Sequence, residues 1–146
     1  NMNYRRFKNK IILGLERGEE ITEQLKVLAQ KEHILLAQVE GLGATDDFTV
    51  GLYEVKNQKY LSQHFIGDHE IVSLTGSINT LNGEYYSHLH ISCAGKDQVV
   101  VGGHLNKAVI SGVGEIFVTV IEGKVDRYKD ARTGLNVFDF NEKTEI

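Results

Sequence analysis

At 146 residues, 41% of them hydrophobic and 25% charged, the chain has the size of one domain and the make-up of an ordinary globular protein, which excludes extended disorder. A net charge of -4 disfavours nonspecific binding to phosphate backbones unless basic residues gather on one face. A lone cysteine, Cys93, excludes an internal disulfide; with no signal-peptide pattern and no apolar stretch of spanning length, a cytoplasmic chain without membrane association is expected.

Met2 reads as the native start, so Asn1 is set aside. One domain is expected over 2–141, with a tail at 142–146. Fifteen glycines and no proline separate short runs of β-branched and aromatic residues, which predicts a mostly β protein. The first strand is expected at 4–15. Its Arg5, Arg6, Lys8 and Lys10 form a basic edge suited either to holding an anion or nucleic acid or simply to protecting an edge strand with charge. Over 19–32, Ile21, Leu25, Leu28 and Ala29 recur at three- and four-residue intervals, which predicts an amphipathic helix with Glu19, Glu20 and Glu23 at its positive end. His33, just beyond, is expected to meet the helix dipole.

Further strands are predicted at 34–42, 48–55, 59–66, 70–79, 85–94, 99–104 and 115–122, pairing in sequence order. Asn57-Gln58, Asn82-Gly83 and Gly95-Lys96-Asp97 supply residues that tolerate tight reversals. Another hairpin tip is expected at Gly67-Asp68, flanked by His64 and His69. From Asp126 onward a last short strand and tail are expected. The fold class is therefore α+β: a mostly antiparallel sheet with one principal helix packed on it. With only one helix to cover it, the sheet must curl on itself or bury a face against another subunit.

The segment GEYYSHLHISCAGKDQVVVGGHL, residues 83–105, holds three of the six histidines. Strand alternation puts Tyr86, His88, His90 and Ser92 on one face and Leu89, Ile91 and Cys93 on the other, where they read as core. Imidazoles two residues apart on one face stand about 7 Å apart at the backbone and reach a common ion. The returning strand ends in His104, after Gly102 and Gly103, which can form a bulge or leave space above a metal. Three imidazoles without a thiolate suit an open site that keeps a water ligand, zinc being the first choice and nickel, cobalt, iron or copper also acceptable. Hydrogen-bonded histidines that meet no metal are the plain alternative. A metal-assisted lyase or hydrolase also needs a proton carrier, and Glu40 and Glu115, each interrupting an apolar run, are the candidates if buried; ion pairing or exposure is the alternative. Tyr85 and Tyr86 are further candidates for ligand contact, with aromatic packing the alternative.

SHLHIS followed by VVVGGHL resembles the plant-and-prokaryote conserved domain, which in plants follows AT-hook DNA-binding motifs. YRRF, VEGLGA, EIVSLTGSI and GEIFVTVIEG agree, so the likeness covers nearly the whole chain. It implies an antiparallel sheet with a packed helix, assembly into a homotrimer, and zinc held by His88, His90 and His104, as in prokaryotic members with this pattern. Two departures stand out. The AT-hook is absent, so a DNA-binding or regulatory role becomes the alternative to a metal site serving a small anionic ligand or a lyase or hydrolase reaction. Plant members generally lack the histidines. The His-x-His and later His also show a distant similarity to acetolactate decarboxylase, a zinc enzyme, reaching only those three residues.

Overall fold

The computed structural model describes residues 2–141; Asn1 and the tail expected at 142–146 lie outside the described residues. In chain order the elements are β1 (Asn3–Phe7), β2 (Lys10–Glu16), α1 (Ile21–Lys31), β3 (Ala37–Glu54), β4 (Lys59–Leu81), β5 (Glu84–Ala94), a 3-10 turn at Lys96–Gln98, β6 (Val100–Val120), β7 (Asp126–Lys129) and β8 (Asn136–Asp139). The α+β class and the curled antiparallel sheet are as expected.

Several boundaries differ for identifiable reasons. The predicted strand 4–15 is a hairpin, because Lys8 adopts φ 58° and reverses the chain between β1 and β2. Three pairs of predicted strands are three long ones. In β3, register shifts at Gly41/Gly43 and Thr45/Asp47 bend the strand without ending it. Gly67-Asp68 likewise lies within β4 and is not a hairpin tip. The last expected strand is a separate hairpin, β7–β8.

Pairing in sequence order fails at one place, and that place shapes the molecule. The sheet order is β1-β2-β6-β3-β4-β5, with β6 also paired to β5. With 21 residues, β6 reaches roughly 70 Å at strand rise, enough for two neighbours in succession along one edge. Its start pairs with β5 and its end with β2, while β3 follows its other edge. Strands β3, β4, β5 and β6 thereby close on themselves.

Inward-facing residues of β2, β3, β4 and β6 fill the interior. Ile11, Leu13, Val39, Phe48, Leu74, Ile78, Ile116 and Val118 are at most 1% exposed, and α1 adds Ile21, Leu25 and Leu28. The helix is held at its start by Glu20, whose carboxylate accepts from the N–H groups of Thr22 and Glu23 and from that of Ala108 on β6. His33 follows the helix end with φ 54°, and the Ile34 N–H bonds back to the Ala29 carbonyl at 2.8 Å.

The β5–β6 ladder is unbroken from His90↔His104 to Ala94↔Val100, so Gly102 and Gly103 do not form the bulge considered from sequence. They permit close approach instead: a Cβ on Gly102 would lie 2.2 Å from the Ile91 carbonyl oxygen and one on Gly103 2.6 Å from that of Gly51. The irregularity falls at Asn106, the extra residue where Thr49↔Lys107 gives way to Val50↔Leu105. We expect Gly102→Ala to lower unfolding free energy by about 1–3 kcal/mol through strand displacement. Gly14→Ala, whose Cβ would meet only the Asn3 carbonyl oxygen at 3.8 Å, changes it little; denaturant titration of both variants checks the contrast.

Candidate metal centre

The alternation along β5 is as the sequence indicates. Leu89, Ile91 and Cys93 are buried, whereas His88 and His90 share the opposite face. Burial in the core pushes the Cys93 thiol up to about 12. His90 lies directly across from His104 in the last rung of the β5–β6 ladder, and His88 stands two residues beyond, where the strands part. The ring centroids are 5.1 Å apart for His88–His90, 5.3 Å for His88–His104 and 5.8 Å for His90–His104. One nitrogen from each ring lies within 4.8 Å of those of the other two. Nitrogens 2.0–2.1 Å from a tetrahedral ion stand about 3.3 Å apart, a spacing that small ring rotations reach from here.

Two of the three rings, those of His88 and His104, are also biased toward the unprotonated form that metal ligation requires. His88 is pushed down to about 4, first by burial, then by the charges that His104, His90 and Arg127 would place beside it. His104 is lowered by burial and then by His90. Tyr60 crosses above Gly51, where a Cβ would collide with its ring, donates to Asn106 Oδ1 at 2.6 Å and packs edge-on to His104. The bulge at Asn106 thus serves the tyrosine beside the cluster.

The histidines line a cleft of about 730 Å³, which the β7–β8 hairpin also walls with Arg127 and Phe138. Tyr53 ties that hairpin to β3 by donating to the Thr133 carbonyl at 2.6 Å. Tyr86 lines the cleft as well; Tyr85, on the alternate face, lines a different pocket beneath the helix. Sequence reading missed Arg127, since a single arginine among polar residues carries no local sign of burial.

For Glu40 and Glu115 the structure meets the exposed alternative, not the buried condition attached to a proton carrier. Both are exposed, because they project outward from β3 and β6 while Val39, Ile116 and Val118 point inward. Glu40 faces Thr75, which faces His90, placing it two strands and about 10 Å from that histidine. Glu115 faces Leu42 and Gly14, and the structure does not bring it to the cluster. The other histidines stay apart. His64 Nε2 lies 2.6 Å from Asp47 Oδ1, His69 Nδ1 lies 2.6 Å from the Gly67 carbonyl oxygen, and His33 is exposed.

The chain is similar to several solved structures. A candidate DNA-binding protein from Bacteroides thetaiotaomicron is 30% identical with a TM-score of 0.94, covering 97% of this chain and 99% of its own. A metal-containing protein from Archaeoglobus fulgidus is 27% identical with a TM-score of 0.84, covering 94% and 97%. A Staphylococcus aureus protein of unknown function, described as similar to alpha-acetolactate decarboxylase, shares the fold alone: 14% identity, TM-score 0.54, and coverage of 80% of this chain and 54% of its own. No curated protein matches the chain. The Plants and Prokaryotes Conserved (PCC) domain matches residues 2–122, so the resemblance carried by SHLHIS and VVVGGHL is one of descent, and the chain belongs to that family.

Proposed function

We propose that this domain, taken as one unit over 2–141, holds a divalent transition metal, zinc first, through His88, His90 and His104, and presents it with an open position to a small anionic ligand. The observation that carries the reading is the convergence of three imidazole nitrogens within 4.8 Å in the lining of a cleft, with no thiolate or carboxylate joining the group among the described residues. The metal-containing Archaeoglobus relative supports it. Such an ion supplies Lewis acidity toward an oxygen ligand or lowers the pKa of bound water, the chemistry that a lyase or hydrolase reaction would use. The chain's own part is to hold the rings on paired strands, favour the unprotonated form of His88 and His104, and wall the site with Tyr60, Tyr86 and the β7–β8 hairpin. With Glu40 and Glu115 outside the cleft, neither has the position of a proton carrier within one chain, and binding is the better supported half of the reading.

Trimeric assembly is part of the proposal. Ile12, Leu42, Val113 and Phe117, each 45–58% exposed, lie close together on β2, β3 and β6, Ile12 opposite Phe117 in the register. No element of the described chain covers this face, on which Glu40 and Glu115 lie among the apolar side chains, and a symmetric partner is a suitable cover for its apolar part. A DNA-associated module is the second reading, supported by the description of the Bacteroides relative and by the exposed β1 edge. Arg6 on that edge is already engaged by Glu32 at 3.1 Å, and the net charge is -4. Steeply salt-dependent duplex binding, lost on neutralising Arg5 and Arg6, would bring it forward.

Elemental analysis of untagged protein is expected to find about one metal equivalent per chain, falling sharply in His88→Ala and His104→Ala; less than about a tenth of an equivalent in the parent protein overturns the reading. Light scattering is expected to give three times the 16.4 kDa chain mass, and Phe117→Asp a smaller species; a monomeric parent protein overturns the trimer. The metal-free protein should also lose stability between pH 7.5 and 5. The folded-state pKa of His88 lies below the unfolded value of about 6.5, so the unfolded chain binds the proton more readily, and stability present above that value is lost as pH falls. Chemical denaturation at both pH values should show a smaller loss in His88→Gln.

A further inference from the structure

Arg127 is 5% exposed, yet its charge is matched by no ion pair among the described residues. Nε donates to Asn79 Oδ1 at 2.8 Å and Nη1 to the Asn136 carbonyl oxygen at 2.9 Å. The guanidinium lies between two rings, 4.8 Å from the centre of Tyr86 and 4.4 Å from that of Phe138. These contacts fix its plane and leave Nη2 buried without a hydrogen-bond partner. An orphaned donor on a buried cation carries a substantial desolvation cost, and such costs persist in proteins chiefly where something else supplies the acceptor. Arg127 lines the same cleft as His88, His90 and His104.

We infer that Arg127 is the anion-recognition residue of this cleft, taking through Nη2 the carboxylate of a small organic acid whose opposite end lies toward the three histidines. This rests on the reading of those histidines as a metal centre for the position of the ligand's far end, though the arginine subsite can be tested without it. Three features set the chemical class. The free donor is one nitrogen of a guanidinium already spent on its other two, which matches one singly charged carboxylate better than a phosphate. Among the described residues no lysine lines the cleft to neutralise a second charge. The surrounding wall is aromatic and aliphatic, with Tyr60, Tyr86, Leu135 and Phe138, so a carbon skeleton is accommodated better than a second polar group. Because Nη2 is shut off from bulk water, its bond to an arriving carboxylate forms in a medium that strengthens it. Phe138, 42% exposed on a short two-stranded hairpin, is the group that must give way as the anion enters.

The test uses benzoate as probe, with benzamide as its uncharged counterpart and inorganic phosphate as the competing anion. Nuclear magnetic resonance of the full chain follows the arginine Nε–Hε signals, with that of Arg127 assigned in the wild-type chain by its through-space contacts with the Tyr86 and Phe138 rings. Benzoate is expected to shift the Arg127 signal with millimolar or tighter affinity, benzamide to bind at least about tenfold more weakly, and Arg127→Lys to weaken benzoate by about tenfold. The wild-type comparison of benzoate with benzamide stands even if the variant fails to fold. Absence of a shift up to about 20 mM benzoate, or equal binding of benzamide, overturns the subsite. A stronger response to phosphate overturns the assignment to carboxylates. Running each titration on zinc-loaded and chelator-treated protein separates the two proposals. Zinc uptake without a benzoate response removes the arginine subsite and leaves the metal centre standing. A benzoate response in protein that takes up no zinc removes the metal centre and leaves the arginine subsite.

Discussion

The pairing of β5 with the start of β6 is the constraint from which the rest follows. That ladder closes β3, β4, β5 and β6 on themselves, and its final rung is His90 opposite His104. The same backbone hydrogen bonds that remove a sheet edge therefore fix the separation of two of the three imidazoles. Gly102 makes the seam tight enough, since any side chain there would press on the backbone of β5. Fold closure and cluster geometry are one event, so the histidines need no dedicated loop to bring them together.

Strand alternation then divides the labour. Inward residues of β5 build the core and outward residues build the cleft, so the two can vary independently as long as the pairing holds. The long β6 strand extends this economy, serving β5 and the histidines at one end and β2 at the other. Glu20 adds a tie between the helix start and the middle of β6, which seats α1 against the interior. Only the β7–β8 hairpin stands outside this scheme, in its own two-stranded sheet, and it supplies part of the wall of the histidine cleft.

Much of this was legible in the residues. The period-two pattern of Leu89, Ile91 and Cys93 against His88 and His90 is a local signal and reads directly. So is the spacing of Ile21, Leu25 and Leu28 on the helix. Strand continuity was not legible, because Gly41, Gly43, Gly67 and Asp68 look like turn residues, and only neighbouring strands decide whether such residues bend a ladder or end it. The crossing of β6 between β2 and β3 depends on long-range pairing that no window of sequence contains. Burial or exposure of Glu40 and Glu115 stayed open for a related reason: each lies in an apolar run, and only alternation within the assembled sheet turns it outward. Arg127 was invisible because its burial comes from Asn79, Tyr86 and Phe138, remote in the chain or across the hairpin.

Cys93 points away from the cleft into the closed interior, and its thiol is held far from ionisation. Toward maleimides and other electrophiles that react with thiolates, the folded chain will behave as though it contained no cysteine at all. One cysteine introduced on the exposed tip of the β7–β8 turn would then carry a fluorophore or spin label alone, turning movement of that wall into a change of emission or spectral line shape without any background substitution.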